Sequence, residues 1–89
     1  MNNRHEIIKA HKELIMSMNI DQLKEVFKDN DITEDFEKIL FAMPKNTEME
    51  TFRVTLATNL INWVEYDHLS TEDITSATEY LLTIKKEIK

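Results

Sequence analysis

The chain has 89 residues, 42% hydrophobic and 31% charged, and its seventeen acids against eleven bases give a formal charge of −6. It contains one proline, no cysteine and no glycine, where average usage of roughly 7% would supply about six glycines. The missing glycines exclude phosphate-cradling loops, dinucleotide folds and nucleophile elbows, and the missing cysteines exclude disulfide frameworks, thiolate metal sites and cysteine nucleophiles.

Helical periodicity runs through nearly the whole chain and no stretch alternates as a strand does. This predicts one all-α domain spanning residues 1–89, a compact bundle of four to five short helices. The first helix is expected from about Asn3 to Ser17, with Ile7, Ile8, His11, Leu14, Ile15 and Met18 on one face, opposite Lys9, Lys12 and Glu13. Asn19, with Gln22 three residues on, reads as a capping box. It opens a second helix through Lys28, apolar at Ile20, Leu23, Val26 and Phe27. Asp29-Asn30-Asp31 then competes for backbone hydrogen bonds and breaks the helix.

Thr33 is expected to cap a third helix with the stripe Phe36, Ile39, Leu40 and Met43. Pro44 disfavours α geometry at Met43 and ends it. Thr47 and Glu50 read as a second capping box, opening the longest segment, to about Tyr66. Ser70 with Asp73, or Thr71 just after it, opens a last helix that continues to the C-terminus. There Ile74, Ala77, Leu81, Ile84 and Ile88 recur at spacings of 3, 4, 3 and 4, the seam of a bundle or a short coiled coil.

The fourth helix reads as the centre of the bundle. Met49, Phe52, Leu56, Leu60 and Trp63 form one apolar row, and Val54, Ala57, Ile61 and Val64 an adjacent one, together covering more than half the circumference. The remaining arc, Thr51, Thr55, Thr58 and Asn62, is polar but uncharged. It reads either as an ordinary surface or as a weakly hydrated face for a partner. Arg53 falls inside the apolar arc and must snorkel or pair, with Glu50 one turn earlier as the available partner. Structural pairing is the expected role, ahead of binding an anion. His11 sits in the middle of its stripe, as a hydrogen-bonded core histidine does, with a pH-sensing role as the alternative.

No apolar run reaches the ~18 residues of a membrane-spanning helix, and the polar start Met1-Asn2-Asn3-Arg4-His5-Glu6 is not that of a signal peptide. A cytoplasmic protein with no membrane contact is therefore expected. His5 and His11 diverge on a helix, and no His-Glu-x-x-His pattern occurs. Asp29-Asn30-Asp31-Ile32-Thr33 starts like a calcium loop, but Glu34 replaces its turn glycine and Leu40 its twelfth-position acid. No catalytic, cofactor-binding or metal-ligating residues are assigned, and the chain is expected not to be an enzyme.

Charge is uneven along the chain. Residues 46–84 hold seven acids and one base, Arg53, for −6, while residues 1–45 contribute −2 and residues 85–89 contribute +2. A helix-turn-helix drawn through Leu23–Lys28 and Glu34–Met43 would present Glu34, Asp35 and Glu37 to phosphates, reversing the sign of counterion-driven affinity. Direct nucleic-acid binding is thus disfavoured unless Lys9, Lys12, Lys24 and Lys28 converge.

Two acidic groups stand out: Asp29, Asp31, Glu34, Asp35 and Glu37; and Glu65, Asp67, Glu72 and Asp73. Both lie at helix N-termini, where carboxylates complement the macrodipole, or they steer the chain to a basic partner. Met16, Phe41 and Leu82 break the apolar stripes and mark a contact surface if the fold gathers them. In size and composition the chain resembles the accessory proteins of phages and mobile elements, some of which inhibit host factors by direct binding. That resemblance rests on no particular residue.

The expected function is protein–protein binding, as an inhibitor or adaptor of a basic host protein, nucleic-acid-handling proteins among the options. Candidate contact residues are Met16, Glu34, Asp35, Glu37, Phe41, Arg53, Glu65, Asp67, Glu72, Asp73 and Leu82. The alternatives are a homodimer built through the final seam or the threonine face, and a transcription regulator using the N-terminal lysines. A smaller concave volume than an enzyme needs is also expected, with short connections and few cavities.

Overall fold

A computed structural model describes residues 3–88. Five helices follow one another: α1 (Arg4–Ser17), α2 (Ile20–Asp29), α3 (Thr33–Ala42), α4 (Met49–Trp63) and α5 (Thr71–Glu87), with a 3-10 turn at Tyr66–His68 before α5. Among the described residues there is no strand, so the fold is all-α. The single domain measures 46 × 26 × 22 Å. Met1, Asn2 and Lys89, which the expected span of 1–89 and the expected run of α5 to the C-terminus include, lie outside the described residues.

Side-chain bonds define how the helices run. Arg4 donates to the Leu69 carbonyl at 2.6 Å, His11 Nδ1 meets Thr78 Oγ1 at 2.9 Å, and Lys85 Nζ donates to Ser17 Oγ at 2.8 Å, so α5 lies parallel to α1. Gln22 reaches Lys85 and Ile88 while Asn30 reaches Tyr80, which sets α2 antiparallel to α5. Arg53 reaches back to Met16 and Met18, and Ile61 shares a cleft with Ile8, so α4 is antiparallel to α1.

The core is made of the predicted stripes. Ile15 and Met18 of the first stripe, Leu23, Val26 and Phe27 of α2, Phe52, Leu56, Ala57 and Leu60 of α4, and Ile74, Leu81 and Ile84 of α5 are all buried. Each large side chain among them contributes about 1.5–3 kcal/mol by leaving water. The α5 seam is therefore consumed within the chain, against α1 and α2.

Several expectations are corrected. The helix with most neighbours is α2, which packs on α3, α4 and α5, whereas α4 packs chiefly on α1 and α2. The second row of α4 is covered only in part: Ala57 is buried, but Val54 is exposed and Ile61 and Val64 are half-buried. The ends of its first row, Met49 and Trp63, overshoot the core and are exposed too. Helix α4 ends at Trp63 and not near Tyr66, which belongs to the separate 3-10 turn.

The four expected caps divide evenly. Asn19 with Gln22, and Ser70 with Asp73, are reciprocal boxes as read. Thr33 is not a cap: the Ile32 carbonyl already accepts the Asp35 and Phe36 N–H groups, so Thr33 is the first residue of α3. Thr47 does not cap α4 either; Glu48 holds the N-cap position, and the Glu50 carboxylate is turned to Arg53.

The break after α2 has a defined geometry. Asp31 takes φ 61°, the Ile32 N–H donates to the Phe27 carbonyl at 2.9 Å, and the Asp31 N–H donates to the Lys28 carbonyl at 3.1 Å. That pair of bonds is a Schellman motif. Aspartate occupies the left-handed position where glycine is the usual residue.

Candidate interaction surface

The surface with the most unusual composition lies on α3. This helix has no buried residue. Its inner side is held by Phe36, whose ring meets Phe27 and Phe52 edge-on with centroids 5.9 Å away in each case. Ile39 and Met43 are half-buried beside it, but Leu40, expected in the stripe, turns outward and is 53% exposed. Phe41 is 93% exposed, next to it.

Helical spacing places Glu37 four residues and Glu34 seven residues before Phe41, on the same side of α3. Glu34 meets Lys38 in an exposed pair at 3.8 Å, and Asp35 and Glu37 are exposed. From residue 31 to 52 the chain holds six acids and two lysines. The α3 face thus combines bare apolar side chains with carboxylates.

The other candidate contact residues do not join it. Arg53 is internal machinery: its Nη1 donates to the carbonyls of Met16 and, at 3.3 Å, Met18, while Nε and Nη2 clasp the Glu50 carboxylate. The guanidinium holds the Glu50 carboxyl below the usual carboxylate range, and Glu50 in turn raises the Arg53 value. Met16 is half-buried: it packs on the core and lines a cleft along α1, away from α3. Leu82 is exposed, but on α5, which packs on α1 and α2.

The second acidic group spreads around the turn before α5. Asp73 is bonded into the Ser70 capping box, Glu65 lies 3.8 Å from His68, and Asp67 and Glu72 are exposed. Asp73 and Glu72 stand in the first turn of α5, and Glu34 and Asp35 in the first turn of α3, where both sets complement the helix dipoles. Asp29, from the first group, accepts the Tyr80 hydroxyl at 3.1 Å. Burial first, and that bond second, push the Tyr80 phenol up to about 12.

His11 is buried and hydrogen-bonded, with its ring edge-on to Tyr66 at 5.6 Å. Burial lowers its pKa below the ordinary value of 6.5 and pushes Tyr66 up to about 12. The Tyr66 hydroxyl is buried and has no hydrogen-bond partner among the described residues. Two of the four N-terminal lysines named above are committed to different rings, Lys12 over Tyr66 at 5.2 Å and Lys24 over Phe36 at 5.7 Å.

Clefts are larger than the glycine-free sequence led us to expect, though they are open and shallow. One of about 670 Å³ follows α1 past Ile8, Lys12 and Met16, and another of about 580 Å³ runs between α3 and α4 past Ile39, Met43, Thr51 and Thr55. The threonine arc of α4 is thus partly the wall of a groove and not a flat face. Among the described residues no three His, Asp or Glu side chains are grouped to hold a metal ion. No helix of the described residues is long and apolar enough to cross a membrane. Sequence reasoning missed Leu40 and Met49 as exposed apolar residues, because both fall on stripes that the tertiary fold leaves uncovered. Comparison with protein-family models, with curated proteins and with solved structures returns no match to this chain.

Proposed function

We propose that this chain acts by binding another protein and not by catalysis, and that α3 carries the contact. Phe41 enters an apolar pocket of the partner, Leu40 packs at its edge, and Glu34 and Glu37 meet basic side chains around it. The observation that carries this reading is the exposure of Phe41, 93% in a helix with no other role for the ring. Transferring such a side chain out of water supplies up to about 3 kcal/mol, and anchors of this kind dominate interface energetics. The surrounding acids select a basic surface and speed encounter with it. An inhibitor or adaptor of a basic host protein fits this chemistry.

The test is capture from the native cell at low salt on immobilised wild-type protein and on Phe41→Ser. The substitution touches no packed residue, so its circular-dichroism spectrum and melting temperature should match the wild type. A protein retained by the wild type, released by salt and lost with Phe41→Ser supports the proposal. Retention of the same proteins by both, or of none, rejects it. Sedimentation over a concentration series covers the homodimer: self-association abolished by Phe41→Ser would replace the basic partner with a second copy.

A further inference from the structure

We infer that α3 is a hinged flap, which opens as a unit while the bundle of α1, α2, α4 and α5 stays folded. Each of those four helices buries two to four residues, and α3 buries none. The four are also cross-tied by Gln22, Arg53, Tyr80 and the His11–Thr78 pair. Among the described residues no side-chain hydrogen bond or ion pair joins α3 to another helix; its one ion pair, Glu34–Lys38, is internal.

What holds α3 is the Phe36 ring between Phe27 and Phe52, with Lys24 of α2 over its face and Ile39 and Met43 half-buried beside it. On its α4 side run two clefts of about 390 and 580 Å³, so the interface there is only partly filled. The flap is bounded by the Asp31 turn, which buried Ile32 anchors to the core, and by the extended Met43 followed by Pro44, so the part that opens begins after Ile32. Ten residues are too few to keep a helix formed in water alone. Opening therefore exposes the α3 amides as well as Phe27 and Phe52. Units of this kind exchange hydrogen by a route separate from global unfolding.

Hydrogen exchange on the full chain tests this, with mass spectrometry or NMR resolving the helices. The slowest α3 amides should exchange at least about tenfold faster than the slowest of α4 and α5, with a weaker dependence on denaturant. Ile84→Val, a one-methylene loss in the α5 core, provides the decisive comparison. It weakens the closed and flap-open states equally, so it should speed α4 and α5 exchange about fivefold and leave α3 unchanged. Equal rates and denaturant slopes in all helices of the wild type, or an α3 response to Ile84→Val matching that of α5, would overturn the proposal.

Discussion

Arg53 offers the sharpest test of how this bundle is held together. Two readings of the residue give different outcomes. If it stabilises through its ion pair with Glu50, removing either partner should cost the same. If it stabilises by capping α1, only the guanidinium matters. The geometry favours capping: Nη1 reaches the carbonyls of Met16 and Met18 at the C-terminal end of α1, and the Arg53 side chain is 20% exposed against 70% for Glu50. Arg53→Met keeps an apolar stem of similar reach and deletes only the polar head. A charged donor on a carbonyl is worth about 1.5–3 kcal/mol. Because one of the two bonds is long and solvent reaches the helix end, we expect a loss of about 2 kcal/mol. For a chain of this size that is roughly 8–16 °C in melting temperature, out of a total stability of order 5–13 kcal/mol. Glu50→Gln leaves both carbonyl bonds in place and should leave the urea midpoint close to wild type. Chemical denaturation followed by circular dichroism measures all three proteins. A Glu50→Gln loss equal to that of Arg53→Met would refute the capping argument, as would a midpoint unmoved by Arg53→Met.

Two further outcomes follow from the same packing. His11 has a native pKa depressed by burial below 6.5, so the unfolded chain takes up its proton first as the solution is acidified. The stability due to neutral His11 is then complete above pH 6.5 and declines as pH falls towards the native value; melting at about pH 7.5 and about pH 5 should show it, and His11→Gln should remove that part of the slope. A His11→Gln profile as steep as wild type would contradict this. At the Schellman turn, Asp31→Gly relieves the left-handed cost of a Cβ but loosens the unfolded chain, for a net gain of about 0.5–1 kcal/mol. Asp31→Ala should lose stability instead, and a Gly variant weaker than wild type would show that the aspartate side chain itself supports the turn.

The fold class and most core residues were legible in the sequence because apolar spacing and N-cap chemistry are local signals. The Asn19 and Ser70 boxes formed as read. Thr33 failed because α2 ends and α3 begins within three residues: the chain leaves the left-handed turn at Asp31 and Ile32 already starts the next helix. Glu50 failed as a capping residue because α4 starts one residue later than read: with Glu48 at the N-cap, Glu50 is the second helical residue, and its carboxylate pairs with Arg53 instead. The exposure of Leu40, Met49 and Trp63 could not be read at all, since each repeats on an apolar stripe and only the placement of neighbouring helices leaves it bare. Of the candidate contact residues, Phe41 and its acidic neighbours share one helix face by spacing alone. Gathering Met16 or Leu82 with them depended on tertiary arrangement, and the fold places Met16 against the core and Leu82 on α5.

The absence of glycine shapes the fold most at helix C-termini. A helix end leaves carbonyls unsatisfied, and a glycine after the last turn commonly lets the chain fold back over them. Here the chain leaves α1, α3, α4 and α5 in extended geometry and only α2 ends in a left-handed turn. Carbonyls at two of those ends are satisfied from elsewhere in the sequence. Arg53 of α4 caps α1, and the buried Gln22 of α2 donates to the carbonyls of Lys85 and Ile88 at the end of α5 while its Oε1 accepts the Asn19 N–H. Arg4 of α1 likewise donates to the Tyr66 and Leu69 carbonyls of the 3-10 turn. Each cap is also a tertiary tie, across 35 to 66 residues of sequence. Helix termination and helix packing are thereby coupled: disturbing Arg53 or Gln22 loosens an end and an interface together. Among the described residues α3 receives no such cap from another helix, and it is the helix with nothing buried. The same economy that replaces glycine in the bundle leaves its third helix without such a tie and its Phe41 uncovered.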